Sequence, residues 1–179
     1  AAWTQTIMRV VLFGGSFLPV IGGMEYAIHY LAEALLDHGV DVTVVARRQF
    51  GPDKFIHRYP LVRYGLPFRG GHRLRIDHVT ALLALSKLHA WKPLDIANIH
   101  GVSVPPQLCL GFFLREQIPV VMTPHGEDVQ RVPEIGYGLR LNAKWDRAVR
   151  KHLAAADAVT AISNSIGREL DGVSLDKII

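Results

Sequence analysis

Apolar positions along the chain switch repeatedly between short unbroken runs and helical spacing. Arg9 to Phe13 (RVVLF) is a β-branched, apolar run of the kind a strand buried on both faces of a parallel sheet requires. Two glycine pairs follow, Gly14-Gly15 and Gly22-Gly23, with Pro19 between them. Beyond the second pair, Met24, Ile28, Leu31, Ala32, Leu35 and Leu36 recur at helical spacing, and Gly39 stands where a C-cap glycine would. Asp41 to Ala46 reads as a second strand and Leu61 to Tyr64 as a short third. Ile76 to Trp91 is a helix stopped by Pro93, Ile96 to His100 a strand, and Pro106 to Glu116 a helix. Pro119 to Thr123 is the next strand and ends at PHGED. Gly138 to Ala156 reads as one long basic helix with Lys144, Arg147, Arg150 and Lys151 near one side, and Asp157 to Ile162 as the last strand. Ser163 or Asn164 caps a short helix after it. This alternation predicts an α/β fold, a doubly wound, mostly parallel sheet of about six strands flanked by helices.

Composition narrows the classes. At 179 residues, 49% hydrophobic and 20% charged, the chain has about the length of one domain and enough apolar surface for a sizeable core. The single cysteine, Cys109 in LCLGFFL, excludes an intrachain disulfide and a cysteine-based zinc site and reads as a core thiol. No stretch approaches the roughly 18 apolar residues of a membrane span, and Ala1 to Arg9 lacks a signal-peptide layout, so a cytoplasmic location is expected. The net charge of +4 is concentrated between positions 47 and 75, where Pro and Gly break the regular pattern. There Arg58, Arg63, Arg69 and Arg73 form a candidate patch for an anionic acceptor or the inner face of a membrane, the alternative being a solvated loop. No aromatic residues interleave with these arginines in a recognisable RNA-binding pattern.

In a doubly wound sheet ligands sit beyond the carboxyl ends of the strands. The Gly14 to Gly23 loop, Arg47-Arg48, His100-Gly101 and His125-Gly126-Glu127-Asp128 all fall there. The glycine loop can turn backbone N–H groups and a helix N-terminus toward a phosphate, or it can serve close packing alone. Neither the Walker pattern nor G-x-G-x-x-G fits it. His100 and His125 each end a strand before a glycine; a metal would need a third ligand that no local spacing supplies. Glu127 and Asp128 are either an acid or base or the carboxylates of a helix start, and Glu25, in the first turn of a helix, has the same two readings. Arg47-Arg48 keeps an NADP-dependent enzyme open, although the glycine spacing is wrong for one. A non-catalytic α/β binding domain also remains.

Three segments, PVIGGMEYAIHYLAEALLDHGVDVTVVA, PVVMTPHGED after DIANIHG, and DAVTAISNSI leading to DKII, resemble the N-terminal domain of family 4 glycosyltransferases of the GT-B fold. They run in the expected order over nearly the whole chain. The resemblance implies one Rossmann-like half of a two-domain enzyme that moves a sugar from a UDP- or GDP-linked donor to a glycan or lipid-linked acceptor with retention of configuration. It implies no resident cofactor, the nucleotide-sugar being a substrate. By that likeness Gly22 and Gly23 face the donor diphosphate and His125 sits beside the transferring sugar as the catalytic residue. Glu25, His100, Glu127 and Asp128 then lie toward the acceptor or sugar. The chain ends about where the family passes into its nucleotide-sugar-binding domain. The expectation is therefore that residues 1–179 are the acceptor-side domain, which folds alone but transfers no sugar alone.

Overall fold

The computed structural model of the chain describes residues 7–49, 55–66, 74–102 and 104–179. Its strands are β1 (Arg9–Gly14), β2 (Asp41–Arg47), β3 (Leu61–Tyr64), β4 (Ile96–His100), β5 (Val120–Thr123) and β6 (Ala158–Val159). They form one six-stranded sheet in the order β3-β2-β1-β4-β5-β6, every neighbouring pair parallel. The connecting helices are α1 (Gly23–Asp37), α2 (Leu74–Trp91), α3 (Val104–Arg115), α4 (Ala143–Ala155) and α5 (Asn164–Arg168). This is the doubly wound α/β fold that the alternation predicts, and among these strands none is antiparallel.

Side chains alternate across β1, which sets the two cores. Val11 and Phe13 enter one with Ala81 and Leu85 of α2 and Phe112 and Phe113 of α3; Val10 and Leu12 enter the other with Ile28 and Ala32 of α1. Cys109 lies in the first core, as the sequence suggests, a free thiol that burial pushes up to about 12. Helix α1 ends as its glycine foretells: Gly39 has φ 75°, and the N–H groups of Val40 and Gly39 bond the carbonyls of Leu35 and Leu36, each at 3.0 Å, in a Schellman closure.

Two expectations change. The long helix begins at Ala143 rather than Gly138, because the Asn142 side chain accepts from the N–H groups of Lys144 and Trp145 and starts it there. Before that cap runs a 3₁₀ turn, Leu139–Leu141, preceded by Gly138 at φ 115°. The last strand shrinks to Ala158–Val159, pairing with β5 only through Val121 and Met122.

The fold positions one crevice. The chain lays down β1, β2 and β3 outward, then returns to place β4 on the other side of β1, so the connections leaving β1 and β4 part in opposite directions. Gly14, His100 and Thr123 stand in register at that end of the sheet.

Candidate functional site

Beyond those three residues opens a cleft of about 630 Å³. One wall is the N-terminal turn of α1 (Gly23, Met24, Glu25, Ala27). The other is the segment after β5 (His125, Glu127, Asp128), joined by Tyr137, Leu139 and Ile162.

The segment after β5 holds its shape through one buried carboxylate. Asp128 accepts from the N–H groups of His125 (3.0 Å) and Gly126 (2.9 Å) with Oδ1, and from that of Val102 (2.9 Å) with Oδ2. It thus ties the turn after β5 to the turn after β4. Gly101 and Gly126 adopt φ of 81° and 141°, which side-chain-bearing residues rarely do, and so let both turns come under that carboxylate. The sequence leaves Asp128 as an acid or base or as the carboxylate of a helix start; no helix starts at 127–130, and the carboxylate is engaged instead by the backbone N–H groups of two turns. Glu127, its neighbour, is exposed on the cleft wall.

His100 and His125 meet at the cleft floor. His100 is 2% exposed, and its Nδ1 lies 3.0 Å from Nε2 of His125. Burial, with His125 beside it, lowers the His100 imidazole to about 3. His125 is half-buried; burial lowers it too, against the opposing pull of the Asp128 and Glu25 carboxylates. Both rings are therefore neutral near pH 7. Asn98 and Thr123, on the same face of the sheet as His100, bond to each other at 3.1 Å. Among the described residues no three His, Cys, Asp or Glu side chains converge as a metal ion would require.

The two glycines differ in what they do. A side chain on Gly22 would collide with the Glu25 carboxylate, which folds back over the N-cap of α1. A side chain on Gly23 would meet nothing within 4 Å. Neither adopts a positive φ, so the loop does not need these glycines for left-handed turns. Gly22 makes room for a carboxylate, and Gly23 keeps the mouth of the cleft open.

The arginines lie elsewhere. Arg58 is paired with Glu33 and with Asp37 (2.8 Å) along the outer side of α1. Arg63 donates to the carbonyls of Arg47 and Leu18 and covers the Phe17 ring. Both serve intramolecular partners, so neither is a free member of a surface patch; Arg69 and Arg73 lie outside the described residues. Arg47, the NADP-type candidate, is bound at 2.9 Å by the buried Asp77 on α2. Among the described residues no helix is long and apolar enough to cross a membrane.

Met24, Ala27, Tyr137, Leu139 and Ile162 escape sequence reasoning. Only Tyr137 carries a local signal, an aromatic residue set between two glycines in a loop.

A parallel doubly wound sheet with a glycine-opened helix N-terminus and a strand-end histidine across one crevice defines a Rossmann-like half of the GT-B type. Residues 21–178 match the family described as Glycosyltransferase Family 4, and the chain belongs to it. No curated protein sequence matches the chain. Among solved structures it is similar to sucrose-phosphate synthase from Thermosynechococcus elongatus (TM-score 0.65, 18% identity, covering 87% of this chain and 42% of that one). It is also similar to UDP-N-acetylglucosamine 2-epimerase from Rickettsia bellii (0.65, 10%, 97% and 44%). A third is the catalytic domain of starch synthase IV from Arabidopsis thaliana, bound to ADP and acarbose (0.60, 13%, 97% and 51%). These likenesses carry the fold. The chain spans about half or less of each of these structures.

Proposed function

We propose that the chain is the acceptor-side half of a retaining glycosyltransferase. It moves a sugar from a UDP- or GDP-linked donor to a glycan or lipid-linked acceptor, in a cleft completed by a nucleotide-sugar-binding half. The observation that carries this reading is the pairing of Gly23 and His125 on facing walls of one cleft at the switch point of the sheet. Family membership supports the reaction class.

The donor diphosphate is received at Gly23, where α1 offers unobstructed backbone and the positive end of its dipole. Gly22 acts indirectly, by leaving space for Glu25. That carboxylate would repel a diphosphate placed over Gly22 and suits a sugar or acceptor hydroxyl instead. His125 bonds an oxygen of the transferring sugar from the other wall and orients it as the bond to phosphate breaks. Glu127 extends that wall toward the acceptor, while His100 and Asp128 hold His125 and its turn.

The test uses the product of the complete coding sequence with a panel of UDP- and GDP-sugars and acceptors, following the anomer formed. Transfer with retention is expected, and none by residues 1–179 alone. Multiple turnovers by the isolated chain would overturn the two-half cleft. An inverted product would overturn retention. Epimerisation of UDP-N-acetylglucosamine without transfer, or binding of a nicotinamide cofactor by this chain, would move the protein to another class. Within this reading, His125→Ala lowers turnover by about 10²-fold and leaves donor affinity within a factor of about three. Equal losses in turnover and affinity would make His125 a simple binding contact.

A further inference from the structure

The contact between the two histidines is an in-plane hydrogen bond. Their ring planes differ by 26° and their centroids lie 5.2 Å apart. That separation is about what two imidazole radii and the 3.0 Å contact make when laid end to end, so Nδ1 of His100 and Nε2 of His125 point at each other along the ring planes. Between two neutral imidazoles one proton must lie on that line, given by one ring and accepted by the other. Whichever ring gives it determines which nitrogen of His125 carries a proton on the far side.

Two arrangements satisfy the bond. In the first, His100 donates from Nδ1, its Nε2 keeps a lone pair, and His125, accepting at Nε2, carries its proton on Nδ1. In the second, His125 donates from Nε2, its Nδ1 is a bare lone pair, and His100 carries its proton on Nε2. Nε2 of His100 is buried and has no partner among the described residues. The polar neighbours on that face, Asn98 and Thr123, bond to each other. A buried N–H without an acceptor is the rarer and costlier defect than an unused lone pair. The first arrangement is therefore favoured.

We infer that His100 is a positioning residue that holds His125 in the tautomer protonated on Nδ1, so that His125 meets a cleft ligand as an N–H donor and not as a proton acceptor. The ligand group this selects is an oxygen with lone pairs to offer, a hydroxyl or phosphate oxygen. His125 then has no vacant nitrogen with which to take a proton from an acceptor hydroxyl. That consequence rests on the proposed glycosyl transfer; the tautomer itself does not. The Asp128 and Glu25 carboxylates, which act on His125 from its own turn and from α1, favour the charged imidazolium against the effect of burial and do not choose between the two neutral tautomers.

The experiment is long-range ¹H–¹⁵N correlation spectroscopy of the ligand-free chain labelled with ¹⁵N-histidine at pH 7, the His125 signals being identified by their loss in His125→Gln. In the parent, His125 is expected to carry its proton on Nδ1 with Nε2 bare. His100→Asn sets an amide donor where Nδ1–H stood and preserves this pattern, whereas His100→Asp sets an acceptor there and draws a proton onto Nε2 of His125. A parent His125 protonated on Nε2 would overturn the inference, as would an Nε2 left bare in His100→Asp. The parent spectrum decides the matter even where His100→Asp fails to fold. No substrate enters the measurement, so a failure of sugar transfer leaves this result intact, and the reverse.

Discussion

Single residues at this site differ in how their neighbours confine them. Gly23 has open space where a side chain would stand, so Gly23→Val is expected to fold with its thermal midpoint little changed and to lose affinity for nucleotide diphosphates. Calorimetric titration of the complete protein with UDP and GDP, beside a melting curve, checks both halves. Unfolding of the variant would mean that the turn needs glycine for packing, and unchanged affinity would remove Gly23 from the site. His100 carries the opposite liability, because its buried ring resists protonation. The unfolded chain takes up that proton near the ordinary value of 6.5, while the folded chain holds it off until about 3. Stability from this group is therefore whole above pH 6.5 and drains as the pH falls through that window, by at most about 1.4 kcal/mol per pH unit. His125 and His152, both lowered first by burial, add slope of the same sign. Urea midpoints between pH 7 and 4.5 should thus fall more steeply for the parent than for His100→Asn. Equal slopes would show that His100 is already charged in the folded state. Below that window the carboxylates held low by arginine partners, Asp146 and Asp171, take over.

Elements set these residues in place through short local devices and one long-range tie. The tie is Asp128, whose two oxygens fasten the turns after β4 and β5. Asp128→Asn keeps one acceptor oxygen but turns an amide N–H₂ toward a backbone N–H. The expected cost is about 1–3 kcal/mol, read as a fall of several degrees in the melting midpoint. No fall would mean that the turns hold without the carboxylate. What the sequence discloses follows the same division between local and distant causes. Strands β3 and β4 appear with their boundaries, and α1 with its closing Gly39, because each is written in neighbouring residues. The start of α4 was legible too, in an Asn142 cap ahead of an amphipathic run, but Leu141, four residues before Trp145, continues the helical spacing past the cap and hides it. The polar side chains Asn98 and His100 alternate with Ala97 and Ile99 in β4, a period of two marking one face as polar. A reading of the strands as continuously apolar passes over it. The meeting of His100 with His125 has no sequence signal, since 25 residues and a helix separate partners that strand register and the Asp128 tie bring together.

At the scale of the whole molecule, buried arginines do what no local pattern announces. Arg9, 1% exposed at the start of β1, bonds the carbonyls of Leu88 and Lys92 at the end of α2 and lies 3.6 Å from Asp41 of β2, locking the end of the sheet opposite the cleft. Arg140 does the same on the cleft side. Its side chain is 1% exposed and bonds Asp146 of α4 (2.6 Å), Asp171 beyond α5 (2.8 Å) and the backbone carbonyls of Val129 and Glu169. Arg150 closes the network through Asp146 (2.9 Å) and Asp171 (2.7 Å). The segment that brings Tyr137 and Leu139 to the cleft is thereby fastened to the C-terminal part of the chain. Gly138, where any side chain would strike the Gln130 carbonyl, lets it cross over itself. Arg140→Met keeps much of the volume and removes the charge. Asp146 and Asp171 are partly exposed and can recover water, but the Val129 and Glu169 carbonyls lose a donor, which sets the cost at about 2–3 kcal/mol. Because the network borders the cleft and does not line it, the second effect is selective: hydrogen exchange at 130–141 should speed up while β1 and β4 keep their protection. Uniform loss of protection would mean that Arg140 stabilises the fold as a whole, and unchanged exchange that the cleft wall stands without it.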